Sequence, residues 1–359
     1  MKPFRLIILI AVLWLTGCSS MVLPRNASNP IPSELKPRPD TADEMVVYVI
    51  PAPVKINYGS PRAMLLSFVA AGLDFTEKSD TKHLIGHVFF RLRSGGKEVL
   101  TGQTTDGSQE EKDVVYKHGY GLGYLGTAFI GRLDDGSKLR RELEDRFRTG
   151  EMAYMRFLLS PDVSARMMRY FEEYRDRGYA GWWGEANRPR YREGGACASF
   201  AVSVLDVGGL LNQKHTNAWT INLRIPKTLY GGPLFDQFVP FERCIARTIL
   251  SSRWARADEE YIHCLLWEPT KIHSWLVKAW EQERKTPSGR YILEQTERVR
   301  GLVIDARHMS APNGPLWLDP LTAPNLQGRQ PGSRARVERP EAFAAMQAAM
   351  KRQRQKMRE

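Results

Sequence analysis

A cysteine set among glycines and small residues is the first feature with chemical content: Gly194-Gly195-Ala196-Cys197-Ala198-Ser199-Phe200-Ala201. A mostly apolar run, 202–211, follows at once. These residue types predict a helix over about 196–210, with Cys197 in its first turn. A helix start carries partial positive charge and free N–H groups. Both favour a thiolate over a thiol, and the same N–H groups can hold a developing oxyanion. Gly194 and Gly195 let a substrate approach closely. Phe200, Val204 and Leu205 lie three, seven and eight positions on, the spacing that seats a helix on a core. Three readings of Cys197 are open: a nucleophile, half of a disulfide, or a packed, inert side chain.

A nucleophilic thiol needs a base. Residues 86–93 read as a strand in which Val88, Phe90 and Leu92 form one apolar face. His87 therefore points to the opposite face. An imidazole on a strand, opposite a cysteine at a helix start, is the pairing that activates a thiol. His118 and His215 fall in polar stretches, His263 and His273 in a stretch that reads as helical, and His308 near the end. Two other motifs lack their context. Gly121-Leu122-Gly123-Tyr124-Leu125-Gly126 has dinucleotide-loop spacing but precedes β-like residues, not a helix. His83 and His87 have metal-pair spacing, yet no glutamate lies between them and the run leads into a strand. No metal or cofactor is expected.

Taken together, Gly86-His87-Val88 on a strand and Gly-Ala-Cys197-Ala-Ser-Phe200 opening a helix resemble the permuted papain-like superfamily. That group includes permuted NlpC-type peptidases and lecithin–retinol acyltransferase-like enzymes, in which the histidine strand precedes the cysteine helix. The resemblance spans about 82–104 and 194–211. It implies an α+β domain, with an antiparallel sheet packed on the cysteine-bearing helix and helical insertions, one of them near 112–187. It also implies a thiol hydrolase or acyltransferase acting on an amide or ester of a cell-wall peptide or a lipid. A polar residue on the next strand would orient the histidine. A three-residue turn through Ser94-Gly95-Gly96 sets Gln103 opposite His87, and a two-residue Gly95-Gly96 turn sets Thr104 there. Gln103 is preferred, because its amide oxygen can accept the imidazole N–H. Trp182, Trp183 and Tyr191, among Arg188, Arg190 and Arg192, would wall a substrate groove.

The elements around these residues follow from local signals. A Val-, Ile- and Tyr-rich strand is expected over 44–54, then a helix opened by Ser60-Pro61. A hairpin is expected over 86–104, Gly-rich strands over about 120–133, and a helix over 138–147. A strand over 154–159 and a helix from Ser160-Pro161 follow. After the cysteine helix come a strand near 219–225, a mostly helical stretch, and a late strand over 301–306.

The chain ends set the compartment. Lys2 and Arg5 precede an apolar run, 6–15, too short to span a bilayer as a mature helix. It ends in Leu15-Thr16-Gly17-Cys18, which resembles the lipobox of bacterial lipoproteins. The resemblance implies cleavage before Cys18, lipidation of Cys18 and, with Ser19 next, an anchor on the periplasmic face of the outer membrane. The expected organisation is a leader over 1–17, a Pro-rich tether over 18–40, one α+β domain over 41–326 and a basic tail over 327–359. The net charge is +12, much of it in that tail. Outside the cytoplasm this points to anionic envelope polymers rather than nucleic acid, or to a solvated tail. Of four cysteines, three remain after lipidation. A Cys244–Cys264 bridge, one of three possible pairings, would leave Cys197 free. A non-catalytic lipoprotein with a binding or scaffolding role is the alternative to an enzyme.

Overall fold

The computed structural model describes residues 43–318, apart from 75–82, 84, 106–112, 114–116, 127–128, 151, 233–236, 252 and 296–298. Cys18, the tether and the basic tail lie outside the described residues. The fold is α+β. The main sheet has eight strands, in the order β6-β4-β3-β2-β1-β5-β10-β9. They are β1 (Glu44–Ile50), β2 (His87–Ser94), β3 (Lys97–Thr105), β4 (Phe129–Leu133), β5 (Ala153–Leu159), β6 (Trp182–Trp183), β9 (Ile292–Gln295) and β10 (Arg300–Ala306). Neighbours run antiparallel except β10, which lies parallel to β5. A separate two-stranded ribbon pairs β7 (Thr220–Pro226) with β8 (Tyr261–Trp267).

Seven α-helices are found among the described residues: α1 (Pro61–Asp74), α2 (Gly136–Thr149), α3 (Pro161–Asp176), α4 (Cys197–Val207), α5 (Gln213–Trp219), α6 (Phe241–Leu250) and α7 (Pro269–Lys285). Strand alternation divides them between two faces. Met45, Val47 and Val49 of β1, with Val88, Phe90 and Leu92 of β2, face α3, α4 and α7 in the larger core. Phe200 of α4 lies 5.5 Å from Phe90 and stacks on Tyr174 of α3 at 4.4 Å. The other face carries Val46, Tyr48 and Phe89 and is covered by Leu139, Leu143 and Phe147 of α2.

Two expectations about organisation are corrected. The span 112–187 is not an insertion set beside the sheet: it supplies β4, β5 and β6, with β5 next to the central β1. The stretch expected to be mostly helical after the strand near 219–225 includes a strand, β8, which holds His263 and Cys264. Its burial alternates residue by residue, which is the signature of a strand with one covered face.

Candidate active site

Cys197 is the first residue of α4, and it is half-buried. The chain reaches it through a loop that is tied down at each step. Gly195 donates its N–H to the Trp182 carbonyl of β6 at 3.2 Å. Gly194 has φ +76°, and a methyl there would sit 2.2 Å from that same carbonyl, so only glycine fits. Asn187 donates to the Glu193 carbonyl at 2.6 Å, and Arg188 pairs with the Glu193 carboxylate at 2.6 Å. Ser199 Oγ accepts the Ala196 N–H at 2.9 Å. Ala196 itself caps the helix without a side-chain hydrogen bond.

His87 opens β2, on the face of Phe89, whose ring lies 5.6 Å away. On its free side the sheet parts. β3 pairs with β2 only as far as Phe89↔Gly102, then pairs with β4 from Gln103 onward. The helix α4 packs on both β2 and β3, and its first turn meets the imidazole at this parting. His87 Nε2 donates to Asp134 Oδ2 at 3.1 Å, and the Cys197 thiol is the ring's second hydrogen-bonding partner. Because Nε2 is engaged by Asp134, Nδ1 is the nitrogen left for sulfur. Burial by itself favours the neutral ring. The hydrogen bonds to Asp134 and Cys197, with the charges of both groups, outweigh it and raise the imidazole well above its ordinary value.

Asp134 takes the place beside the imidazole that was expected of Gln103 or Thr104. The turn is the two-residue one, with Ser94 paired to Lys97. Gln103 is fully buried and turned away from the histidine: its amide donates to the Ala180 carbonyl at 2.7 Å and accepts from Tyr174 Oη at 3.4 Å. Asp134 follows β4, and its N–H donates to the Gly102 carbonyl at 2.9 Å. A methyl on Gly102 would sit 2.8 Å from Asp134 Oδ2, so this glycine makes room for the carboxylate. The sequence signal was the pair Asp134-Asp135 between a strand and a helix. Asp135 alone caps α2, accepting from the Ser137 N–H at 2.7 Å, which left Asp134 free for other work.

A second histidine backs the first. His83 stacks on His87 with centroids 4.3 Å apart and planes 17° apart. Its Nε2 bonds Glu142 Oε1 at 2.8 Å, and Arg146 stands 3.7 Å behind that carboxylate. Among the described residues, no group of three or more His, Cys, Asp or Glu side chains is placed to hold a metal ion.

The other sequence-derived site residues fall elsewhere. Trp183 is packed with Phe129 and Ala196 and is 5 % exposed, so it is core rather than groove wall. Trp182 serves through its carbonyl, which receives Gly195. Tyr191 lies under the Arg188 guanidinium at 4.3 Å, and Arg190 ties to Asp206 of α4 and to the Leu316 carbonyl. These aromatic and basic residues brace the cysteine loop. Cys244 and Cys264 are not joined in a disulfide. Cys244 packs with Leu229 and Val239, and Cys264 packs with Leu223 and Ile262 in a different cluster. Burial pushes the Cys244 thiol up to about 11. No helix among the described residues is long and apolar enough to cross a membrane.

With this geometry in hand, comparison with known proteins adds no name: no family model, no curated protein and no solved structure matches the chain.

Proposed function

We propose that the protein is a cysteine hydrolase or acyltransferase of the cell envelope, with a permuted papain-like arrangement of its site. The observation that carries this reading is the imidazole of His87, held by Asp134 at Nε2 with a helix-start thiol close enough to hydrogen-bond the ring. A buried structural cysteine has no need of an oriented base. The raised imidazole favours the thiolate–imidazolium pair.

The chemistry then follows from the atoms. The Cys197 thiolate attacks a carbonyl carbon, forming an S–C bond while the C=O pair moves onto oxygen. The free N–H groups at the start of α4 face that oxyanion, and Ala196 offers no side-chain acceptor to compete for them. As the intermediate collapses, the His87 imidazolium gives its proton to the departing nitrogen or oxygen. A thioester remains on Cys197. Water or another acceptor, deprotonated by His87, attacks the thioester and releases the thiolate. Asp134 stabilises the imidazolium throughout.

The placement on the outer membrane rests on the sequence from Leu15 to Ser19 and is part of the same proposal. Iodoacetamide labelling tests the chemical core. Cys197 is expected to react at neutral pH well before Cys244, which burial keeps protonated. Labelling of Cys197 no faster than a small-molecule thiol would remove the enzyme reading and leave a binding lipoprotein.

A further inference from the structure

His83 and His87 have the spacing of a metal pair, and the structure puts that spacing to a different use. Gly86 donates its N–H to the His83 carbonyl at 3.0 Å, closing a turn into β2. Gly86 has φ +80°, and a methyl there would sit 2.7 Å from the Ile50 carbonyl, so the turn needs glycine. The turn folds His83 back over His87, and the two rings lie 4.3 Å apart and 17° from parallel. Each ring engages a different carboxylate through Nε2, His87 with Asp134 at 3.1 Å and His83 with Glu142 at 2.8 Å. Both carboxylates come from one short segment. Asp134 stands two residues before α2, and Glu142 lies in the second turn of that helix.

Glu142 is the residue that packing alone does not account for. It is buried, a costly place for a carboxylate. A phenyl ring in place of His83 would stack equally well on His87 and would need no acid behind it. Arg146 Nη2 stands 3.7 Å from Glu142 Oε1, beyond hydrogen-bond reach, so His83 is the close partner of that oxygen. Burial opposes ionisation of Glu142, yet His83, His87 and Arg146 bring its carboxyl down to about 2. Such coupling is mutual: if His87 favours an ionised Glu142, an ionised Glu142 favours the imidazolium of His87.

We propose that His83 and Glu142 are positioning residues for the thiol centre: the His83 ring closes one face of the His87 imidazole and holds the Glu142 carboxylate where its charge favours the imidazolium that partners the Cys197 thiolate. The proposal rests on the reading of Cys197 as nucleophile and His87 as its base. Asp134 fixes the imidazole through Nε2, and His83 fixes it from the face, so rotation and tilt of the ring are set by separate contacts. The charged and titrating groups that face the pair are Asp134 and Cys197 on His87, and His83, His87 and Arg146 on Glu142.

The test is the pH dependence of iodoacetamide labelling of the full chain, read at Cys197 by peptide mapping between about pH 5 and pH 9. The wild-type chain should label well below the pH at which a small-molecule thiol does, because the imidazolium stabilises the thiolate. Glu142→Gln keeps the size and an acceptor for His83 but removes the charge. The imidazolium is then less favoured, so the acid side of the profile should move up by roughly half a pH unit or more, which slows labelling at pH 6 about threefold or more. At pH 9 the rates should converge, since the thiolate forms there without the ring's help. His83→Phe keeps the stack and releases the carboxylate, and should move the profile the same way by less. In the Glu142→Gln background it should add nothing, because the ring then has no charge to hold. A profile unmoved in either single variant overturns the proposal, even where the urea midpoint falls, because the pair then only braces the fold. Shifts that add in the double variant overturn it too, since the two residues would act separately. If Glu142→Gln does not fold, the direction of the His83→Phe shift decides. A wild-type profile no different from that of a small-molecule thiol overturns the nucleophile reading and this one with it. A wild-type acid-side advantage that the variants leave in place overturns this one alone.

Discussion

Two charged clusters share one face of the main sheet, and β2 contributes to both. In the first, Glu44 Oε1 receives Arg91 at 2.6 Å and Glu44 Oε2 receives Arg156 at 2.8 Å, with the Glu44 side chain fully buried. In the second, four residues along the same strand, Asp134 holds His87 and His87 meets Cys197. The first is closed: a carboxylate with a guanidinium on each oxygen, all three side chains buried. The second ends on a half-buried thiol, and its carboxylate is 16 % exposed. A charge cluster that only stabilises is sealed from solvent. One that reacts keeps one atom accessible and spends its other contacts on orienting that atom.

The sharpest way to break this contrast is to open the closed cluster. Glu44→Ala removes the carboxylate that two buried arginines share, although Arg156 keeps Glu294 at 3.4 Å, and should cost about 3–5 kcal/mol, read from the urea midpoint at unchanged slope. A loss below about 1 kcal/mol would mean that water reaches the arginines and the cluster is not sealed. In the open cluster the effect should appear in rate instead. His87→Ala should slow iodoacetamide labelling of Cys197 by roughly tenfold or more, with a much smaller change in stability. An unchanged rate would show that the thiol does not depend on the imidazole.

Smaller changes sharpen the comparison. Asp134→Asn keeps the shape but removes the charge, and should slow labelling by several-fold, less than His87→Ala. Gly102→Ala should do the same without touching a titrating group, because its methyl displaces Asp134 Oδ2. If Gly102→Ala lowers stability while the labelling rate holds, Asp134 does not orient the ring.

The pair of His83 with Glu142 is read against pH rather than at a single pH. Burial opposes ionisation of Glu142, but His83, His87 and Arg146 overcome it and bring the carboxyl down from 4.5 to about 2. A group depressed in the folded state adds stability above its unfolded value and loses it as pH falls through its folded value. The wild-type chain should therefore lose stability between pH 4.5 and about 2, and Glu142→Gln should flatten that part of the profile. Equal slopes for the two proteins over that window would exclude Glu142 as the source.

The positions of Cys197 and His87, the proposed nucleophile and base, were readable because each follows from a local rule. Cys197 opens an apolar helix, and strand alternation puts His87 opposite Val88 and Phe90. Asp134 showed in the sequence only as half of the Asp134-Asp135 pair; its reach to His87 depends on where β3 leaves β2 for β4, and strand exchange has no local signature. The Gln103 expectation failed through hairpin length: one residue fewer in the turn reverses which side chains meet. Trp182 and Trp183 misled for a related reason. Aromatic residues before a reactive cysteine suit a groove, yet here they form a short strand that the loop crosses. The Cys244–Cys264 pairing counted thiols without their surroundings, and each sits in its own apolar cluster.

The parallel β5–β10 pair has a consequence for the order of folding. The β2–β3 hairpin closes over a two-residue turn, a local event. β10 must find β5 across nearly half the chain, pairing Arg300 with Ala153 and Ala306 with Leu159. Such distant contacts carry the largest loop-closure entropy and form late. His87 on β2, Asp134 just after β4 and Cys197 on α4 all precede residue 210 in the chain, whereas α7 lies just before β10. The thiol centre can thus assemble before the chain has committed its C-terminal third, and the α7–β10 end of the sheet is completed last.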